Sequence, residues 1–263
     1  MYYLTNWLVN TMPAHPQAAP LRAPKRRHPE ATRRAILAAA LAEFAREGLA
    51  GARMDAIAEA ACVNKALLYY YFKDKEALYG AVLDEFFRPL ASRIDTVTRR
   101  TGPCGERFLE YVRTHFDSVA ESPYYAHIFM SELMSASRGG SPHLDRIFAV
   151  YMQPVAATIV GLLQGGINAG EFRRVDPYQF MPSAIGCIVH YFLTAPLRQK
   201  FMPELDGNSA EAIQARRAAV LDFIAAALFA DRETGVKLAA RIAAEKVNSA
   251  DEFALRRKKG RRA

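Results

Sequence analysis

Only three of the 263 residues are cysteine, Cys62, Cys104 and Cys187, and they lie far apart. That number and spacing exclude a disulfide framework and a Cys-x-x-Cys metal or redox pair, and fit a reducing compartment. The short patterns that carry catalysis are missing as well. There is no G-x-S-x-G, no H-E-x-x-H and no G-x-x-x-x-G-K-[ST], which removes a nucleophile elbow, a zinc-hydrolase helix and a phosphate loop. The six histidines do not group with acids at ligand spacing, so neither a metal nor a cofactor is expected. An enzyme is the first class these absences exclude. Sustained period-two alternation is absent too, and with it a domain built on a sheet.

What is present favours helix. Alanine is frequent, and long stretches run without Gly or Pro. The length suits one large domain or two smaller ones around a real core. The net charge is +8, but its placement says more than its size. Residues 22–34 carry six basic groups and one acid, residues 256–262 carry six basic groups and no acid, and the remainder is left at −3. A near-neutral body with basic ends suits a polyanion, or charged ends that only aid solubility.

The N-terminal "MYYLTNWLVNTMP" is apolar but has no basic n-region and no cleavage site, so it does not read as a signal peptide. Residues 1–29 read as a disordered basic extension, with Met12 as an alternative start. From Phe180 to Leu197 there is no Asp, Glu, Lys or Arg. Its length approaches a membrane span, but terminal prolines, a serine, a threonine and His190 favour a helix buried on all sides, as at a subunit interface. No membrane partner is expected.

Helical periodicity begins near Glu30, with Ile36, Leu37, Ala40, Leu41 and Phe44 in one stripe and Gly48 as the stop. Met54, Ile57, Ala58 and Ala61 make a second, short helix. After Cys62-Val63, Asn64 caps a third helix over Lys65–Tyr71, and Asp74 caps a fourth that Pro89 ends or kinks. Two short helices across a tight turn form a helix-turn-helix. Ser141-Pro142 and Asp176-Pro177 are further starts, Ser209 opens another helix, and Pro154 and Pro182 predict kinks. About nine or ten helices are expected in all.

A helix-turn-helix sets the N-terminal residues of its second helix against base edges. Here these are Lys65, Ala66 and Leu67. Lysine donates to guanine or phosphate, and the two apolar side chains can pack on a thymine methyl. Tyr69, Tyr70 and Tyr71 offer hydroxyls on rigid arms, suited to phosphate oxygens, although the same rings with Phe72 could simply glue a helical hairpin. Lys75 adds charge at a helix start.

The segments "TRRAILAAALAEFAREGL" and "MDAIAEAACVNKALLYYYFKDKEALY" together resemble the DNA-binding domain of TetR-family transcriptional regulators. The shared pattern is carried by Thr32, Arg33, Ile36, Leu37, Ile57, Ala58, Ala61, Val63, Lys65, Leu68, Tyr69, Tyr71, Phe72, Lys75, Glu76 and Leu78. Cys62 stands where the family has glycine in the turn. If φ is positive there, a side chain costs about 1 kcal/mol. Arg53 replaces the small polar cap of the second helix and can reach a phosphate instead.

The resemblance implies an all-α chain with an N-terminal three-helix helix-turn-helix DNA-binding domain at 30–88. It implies a helical ligand-binding and dimerisation domain at 89–232, leaving a C-terminal helix and basic tail at 233–263. It implies a cytoplasmic, ligand-responsive regulator, read as a repressor. Such a protein binds a palindromic DNA operator as a homodimer through Lys65, Ala66, Leu67, Tyr69, Tyr71 and Lys75, with Arg53 and Tyr70 as further candidates. The dimer interface is expected from the helices near 177–200 and 209–230.

An aromatic and methionine-rich middle suits a site for a small apolar or aromatic effector. Its candidates are Phe108, Tyr111, His115, Tyr125, Phe129, Met130, Met134, Tyr151 and Met152. The same residues also fit a plain core, and His115 and His190 read as satisfied core histidines rather than ligand contacts or metal sites. Two alternatives remain: a non-specific nucleic-acid binder driven by the basic tails, and a regulator that senses oxidants through Cys62 beside Lys65.

Overall fold

A computed structural model describes residues 29–122, 124–137, 139, 141–204 and 206–245, with the side chain of Tyr125 left aside. The basic tails expected to bind polyanions lie mostly outside the described residues. The described residues contain twelve α-helices and one π-helical segment. Four form the N-terminal unit: α1 (Pro29–Gly51), α2 (Met54–Ala60), α3 (Lys65–Tyr71) and α4 (Lys75–Thr98). The rest are α5 (Cys104–Glu121), α6 (Tyr125–Ala136), α7 (Pro142–Ile147), α8 (Gln153–Asn168), α9 (Pro177–Leu193), α10 (Ala195–Phe201), α11 (Ala210–Leu228) and α12 (Arg232–Ala244). The count exceeds the nine or ten expected because short helices sit where the sequence shows only turns.

Local chemistry sets most of the starts. Asn64 accepts from Leu67 N at 2.7 Å and Asp74 from Ala77 N at 2.7 Å. Ser141, Asp176 and Ser209 cap α7, α9 and α11 in the same way, filling backbone donors that have no partner within the helix. Gly48 breaks α1 with φ 67 and ψ 176, a conformation open to glycine. Pro89 does not end α4, which runs on to Thr98. Its ring removes one hydrogen bond, but packing of Phe87, Leu90, Ile94 and Val97 outweighs that loss. The border drawn at residue 88 therefore falls inside a continuous helix. Pro154 follows a π-helical stretch, Phe148–Met152, that joins α7 to α8. The wider turn accommodates a residue without an N–H.

One core joins both halves. Ile36, Ala40, Phe44, Ile57, Leu68 and Leu78 fill the N-terminal unit. Phe108, Leu109, Val112, Phe116, Ile159, Leu163, Leu221 and Ile224 fill the other around α5. Phe172 seats directly on Gly166, where an added Cβ would lie 2.2 Å from its ring. Asp117 on α5 and Arg217 on α11 form a buried pair at 3.2 Å, and burial raises the Asp117 pKa despite the guanidinium. Pro142–Asn168 is long and apolar enough to cross a membrane by composition alone, and 22% of its most apolar window is buried here. In the single chain the uncharged α9 buries one side. Ala184, Ile188 and Val189 face the core, while Tyr178, Pro182, Gly186 and His190 are exposed.

Candidate nucleic-acid interface and effector site

The reading helix α3 is held by one side and presents the other. Leu68 is fully buried, and Phe72 closes the end of the helix beneath Arg33, whose guanidinium lies 5.6 Å from the ring centroid. Opposite lie Lys65 and Ala66, both exposed, then Tyr69 and Tyr70, which are 41% and 81% exposed. Leu67 and Tyr71 are half-buried. Burying one side of a seven-residue helix while leaving two tyrosines in water is wasteful for a hairpin and apt for a surface that meets phosphates. Lys65 is paired with Asp55 of α2 at 2.9 Å, which raises its pKa above the ordinary value and keeps it charged. Arg53 is exposed just before α2, its backbone N–H donating to Glu43.

Two details differ from what the pattern alone conveys. Cys62 has φ 53, so the turn keeps the left-handed geometry of a glycine with a side chain in place. Lys75 donates to the carbonyls of Ala50 and Ala52 at 3.0 and 3.2 Å. It ties the start of α4 to the α1–α2 corner, a structural role the sequence does not advertise.

The effector candidates divide. Phe108, Tyr111 and His115 lie on one buried side of α5, with Tyr111 5.6 Å from Phe108 and 5.9 Å from His115 between ring centroids. Phe172 and Phe180 complete the cluster at 6.0 and 6.1 Å from Phe108. Tyr151 stacks on Phe87 and donates to Asp84 at 2.8 Å, while Phe129 and Met152 are half-buried against the same core. Met130 and Met134 stand apart from these, exposed on the outer side of α6. The reason is that the inward stripe of α6 is taken by Ala126, Ile128 and Glu132, so its apolar and buried sides do not coincide. The side chain of Tyr125 lies outside the described residues.

His115 is not the satisfied core residue that its surroundings suggested. It is 6% exposed, and neither ring nitrogen has a hydrogen-bond partner. Burial lowers its pKa to about 4, so the ring is neutral at pH 7 and offers one donor and one acceptor. Unpaired buried polar groups are uncommon and costly. An open cleft of about 640 Å³ lies elsewhere, between Pro103, Glu171, Phe229 and α12. Among the described residues no group of His, Cys, Asp and Glu is placed to hold a metal ion.

Comparison with known proteins bears on this geometry directly. The profile of the family described as "Bacterial regulatory proteins, tetR family" matches residues 36–82. That of the "Tetracyclin repressor-like, C-terminal domain" matches residues 106–234. The HTH-type transcriptional repressor SCO4008 of Streptomyces coelicolor is 35% identical over 142 residues, covering 54% of this chain and 70% of the relative. The HTH-type transcriptional repressor NicS of Pseudomonas putida is 36% identical over 162 residues, 62% of this chain and 71% of the relative. In fold, the ketosteroid transcriptional regulator KstR2 of Mycobacterium tuberculosis superposes with TM-score 0.63 at 20% identity, over 76% of this chain and 95% of that one. With the two profiles in chain order and relatives matched over most of their length, the chain belongs to the TetR family of helix-turn-helix transcriptional regulators.

Proposed function

We propose that the chain is a cytoplasmic, effector-responsive repressor that docks on a palindromic operator as a homodimer. The observation that carries this reading is the split of α3, with Leu68 buried and Lys65, Ala66, Tyr69 and Tyr70 in water. Lys65 reaches a base edge or phosphate, Ala66 and Leu67 meet thymine methyls, and Tyr69, Tyr70, Tyr71 and Arg53 line the phosphates. Lys75 supports them from behind through the α1–α2 corner. Two relatives carry the word repressor in their names, which favours repression over activation.

The dimer interface falls on α9 and α11. Tyr178 is 76% and Phe223 59% exposed in the single chain, beside the exposed small residues Gly186, Ala218 and Ala219. Apolar and small residues along two neighbouring helices suit a four-helix contact with a second copy. The effector enters the α5 cluster, where His115 supplies the polar contact. An aromatic enclosure around one neutral imidazole selects an apolar molecule carrying an uncharged polar group.

Selection of genomic fragments by the purified protein at near-physiological salt, beside the Lys65→Ala, Tyr69→Phe variant, tests the reading. The expected result is one palindromic site, bound more weakly by the variant. Random fragments held equally by both proteins would assign binding to the basic tails instead.

A further inference from the structure

The inward stripe of α6 ends in a carboxylate where an apolar residue would pack at lower cost. Glu132 is 4% exposed, and no cation among the described residues pairs with it. Its two oxygens are met by two hydroxyls from different elements. Tyr79 of α4 donates to one at 2.5 Å, and Ser141, at the start of α7, donates to the other. The same Ser141 oxygen accepts from Leu144 N at 3.1 Å and so caps α7. Tyr79 is itself enclosed, its ring edge-on to Phe44 of α1 at 4.8 Å and to His143 of α7 at 5.0 Å. Burying a charge or an unpaired carboxyl is costly, and an apolar side chain of similar volume is commonly as stable or more so. Something other than stability is served by a carboxylate at this position.

The neighbouring contacts indicate what. His143 meets Glu76 at 2.6 Å, and Arg146 reaches Asp84 at 2.8 Å and the carbonyl of Gly80 at 3.2 Å. Residues 76, 80 and 84 recur every four along α4, one side of the helix facing the α6–α7 corner. Below them Lys75 fastens α4 to the α1–α2 corner. The α1–α2 corner, to which Lys65 of α3 is paired through Asp55 of α2, is thus joined to α4, and α4 to α6–α7, through a chain of polar contacts. Glu132 is the buried centre of that chain.

We propose that Glu132 is a positioning residue for DNA docking. Through Tyr79 and Ser141 it fixes the start of α4, and with it α3, against the α6–α7 corner, and so sets the separation of the two reading helices in a dimer. The proposal rests on the reading of the chain as an operator-binding dimer. Hydrogen bonds from two hydroxyls to one carboxylate form or break together, which suits a choice between two placements better than graded apolar contact does.

The test uses the full chain, the selected palindrome and a duplex carrying one half-site. Tyr79→Phe, Ser141→Ala, Glu132→Gln and the Tyr79→Phe, Ser141→Ala double variant are compared with the parent, with hydrogen exchange followed over residues 75–84. Tyr79→Phe is expected to lower palindrome affinity about tenfold, leave half-site affinity within about twofold, and speed exchange in 75–84 but not in α11. The double variant should lose less than the product of the single losses, because both act through one carboxylate. Palindrome affinity unchanged from the parent in both Tyr79→Phe and Glu132→Gln, or palindrome and half-site affinities falling together, would overturn the proposal. If the parent selects no sequence, the operator reading fails by itself, and unchanged exchange over 75–84 then overturns the role of Glu132 independently.

Discussion

At the scale of single residues, His115 decides most. Its folded pKa of about 4 lies below the ordinary 6.5, so between these values the unfolded chain takes up a proton that the folded chain refuses. Stability from this group is level above pH 6.5 and falls as the pH drops toward 4, by up to about 3 kcal/mol. His115→Leu removes that loss together with two unpaired nitrogens. The variant should be more stable by about 1–3 kcal/mol at pH 7, with a larger gain at pH 5, read from thermal melts across pH 4–8. Loss of effector response should accompany the gain. A variant no more stable at pH 5 than the parent would refute the assignment of His115 as an unpaired buried group. Sequence could list His115 among candidates but not show that its nitrogens lack partners, since that depends on what α8 and α9 bring to α5. The exposure of Met130 and Met134 was hidden for a related reason. Reading α6 by hydropathy assigns apolar residues inward, whereas Glu132 takes a buried position that Met130 and Met134 do not.

The helices show where sequence is legible and where it is not. Capping residues are read locally, and Asn64, Asp74, Ser141, Asp176 and Ser209 all cap the helices they precede. Asn64→Ala should cost about 1 kcal/mol in urea unfolding and weaken DNA binding beyond that, because it loosens the helix that reads bases. Proline is less reliable as a stop, since Pro89 lies in mid-helix where surrounding burial overrides its local effect. Close approach of elements is not legible at all. Gly166→Ala would place a carbon 2.2 Å from the Phe172 ring, and a destabilisation of about 1–3 kcal/mol is expected by the same measurement. Nothing in "LLQGGINAG" distinguishes Gly166 from Gly165 before α8 and Phe172 are seen together. The tie from Lys75 to Ala50 and Ala52 belongs to the same class, a contact across some two dozen residues of chain.

For the whole molecule, the prediction concerns assembly. Phe223→Asp puts a charge at the centre of the proposed α9–α11 contact and should yield a monomer by sedimentation at micromolar concentration. That monomer should still bind a half-site, while its affinity for the palindrome falls to the half-site level. A Phe223→Asp protein that stays dimeric would move the interface elsewhere. Salt provides a second measure. Residues 25–85 hold ten basic and nine acidic groups, so bulk charge supplies little affinity and a few placed contacts must supply the rest. The slope of log affinity against log salt should therefore be that of a handful of phosphates per half-site, and should shrink by about one unit per subunit in Lys65→Ala.

The unbroken course of α4 past Pro89 has a mechanical consequence. Its 24 residues make a rod about 36 Å long at 1.5 Å per residue. Tilting such a rod by about 5° carries its tip through about 3 Å, close to the 3.4 Å rise between neighbouring base pairs. Pivoted at its Thr98 end, a rod of that length converts a shift of about 1 Å at Pro89 into a displacement of about 3 Å at Lys75, close to misregister by a whole base pair at the DNA. A proline that stopped the helix would have left the effector end with nothing to pull.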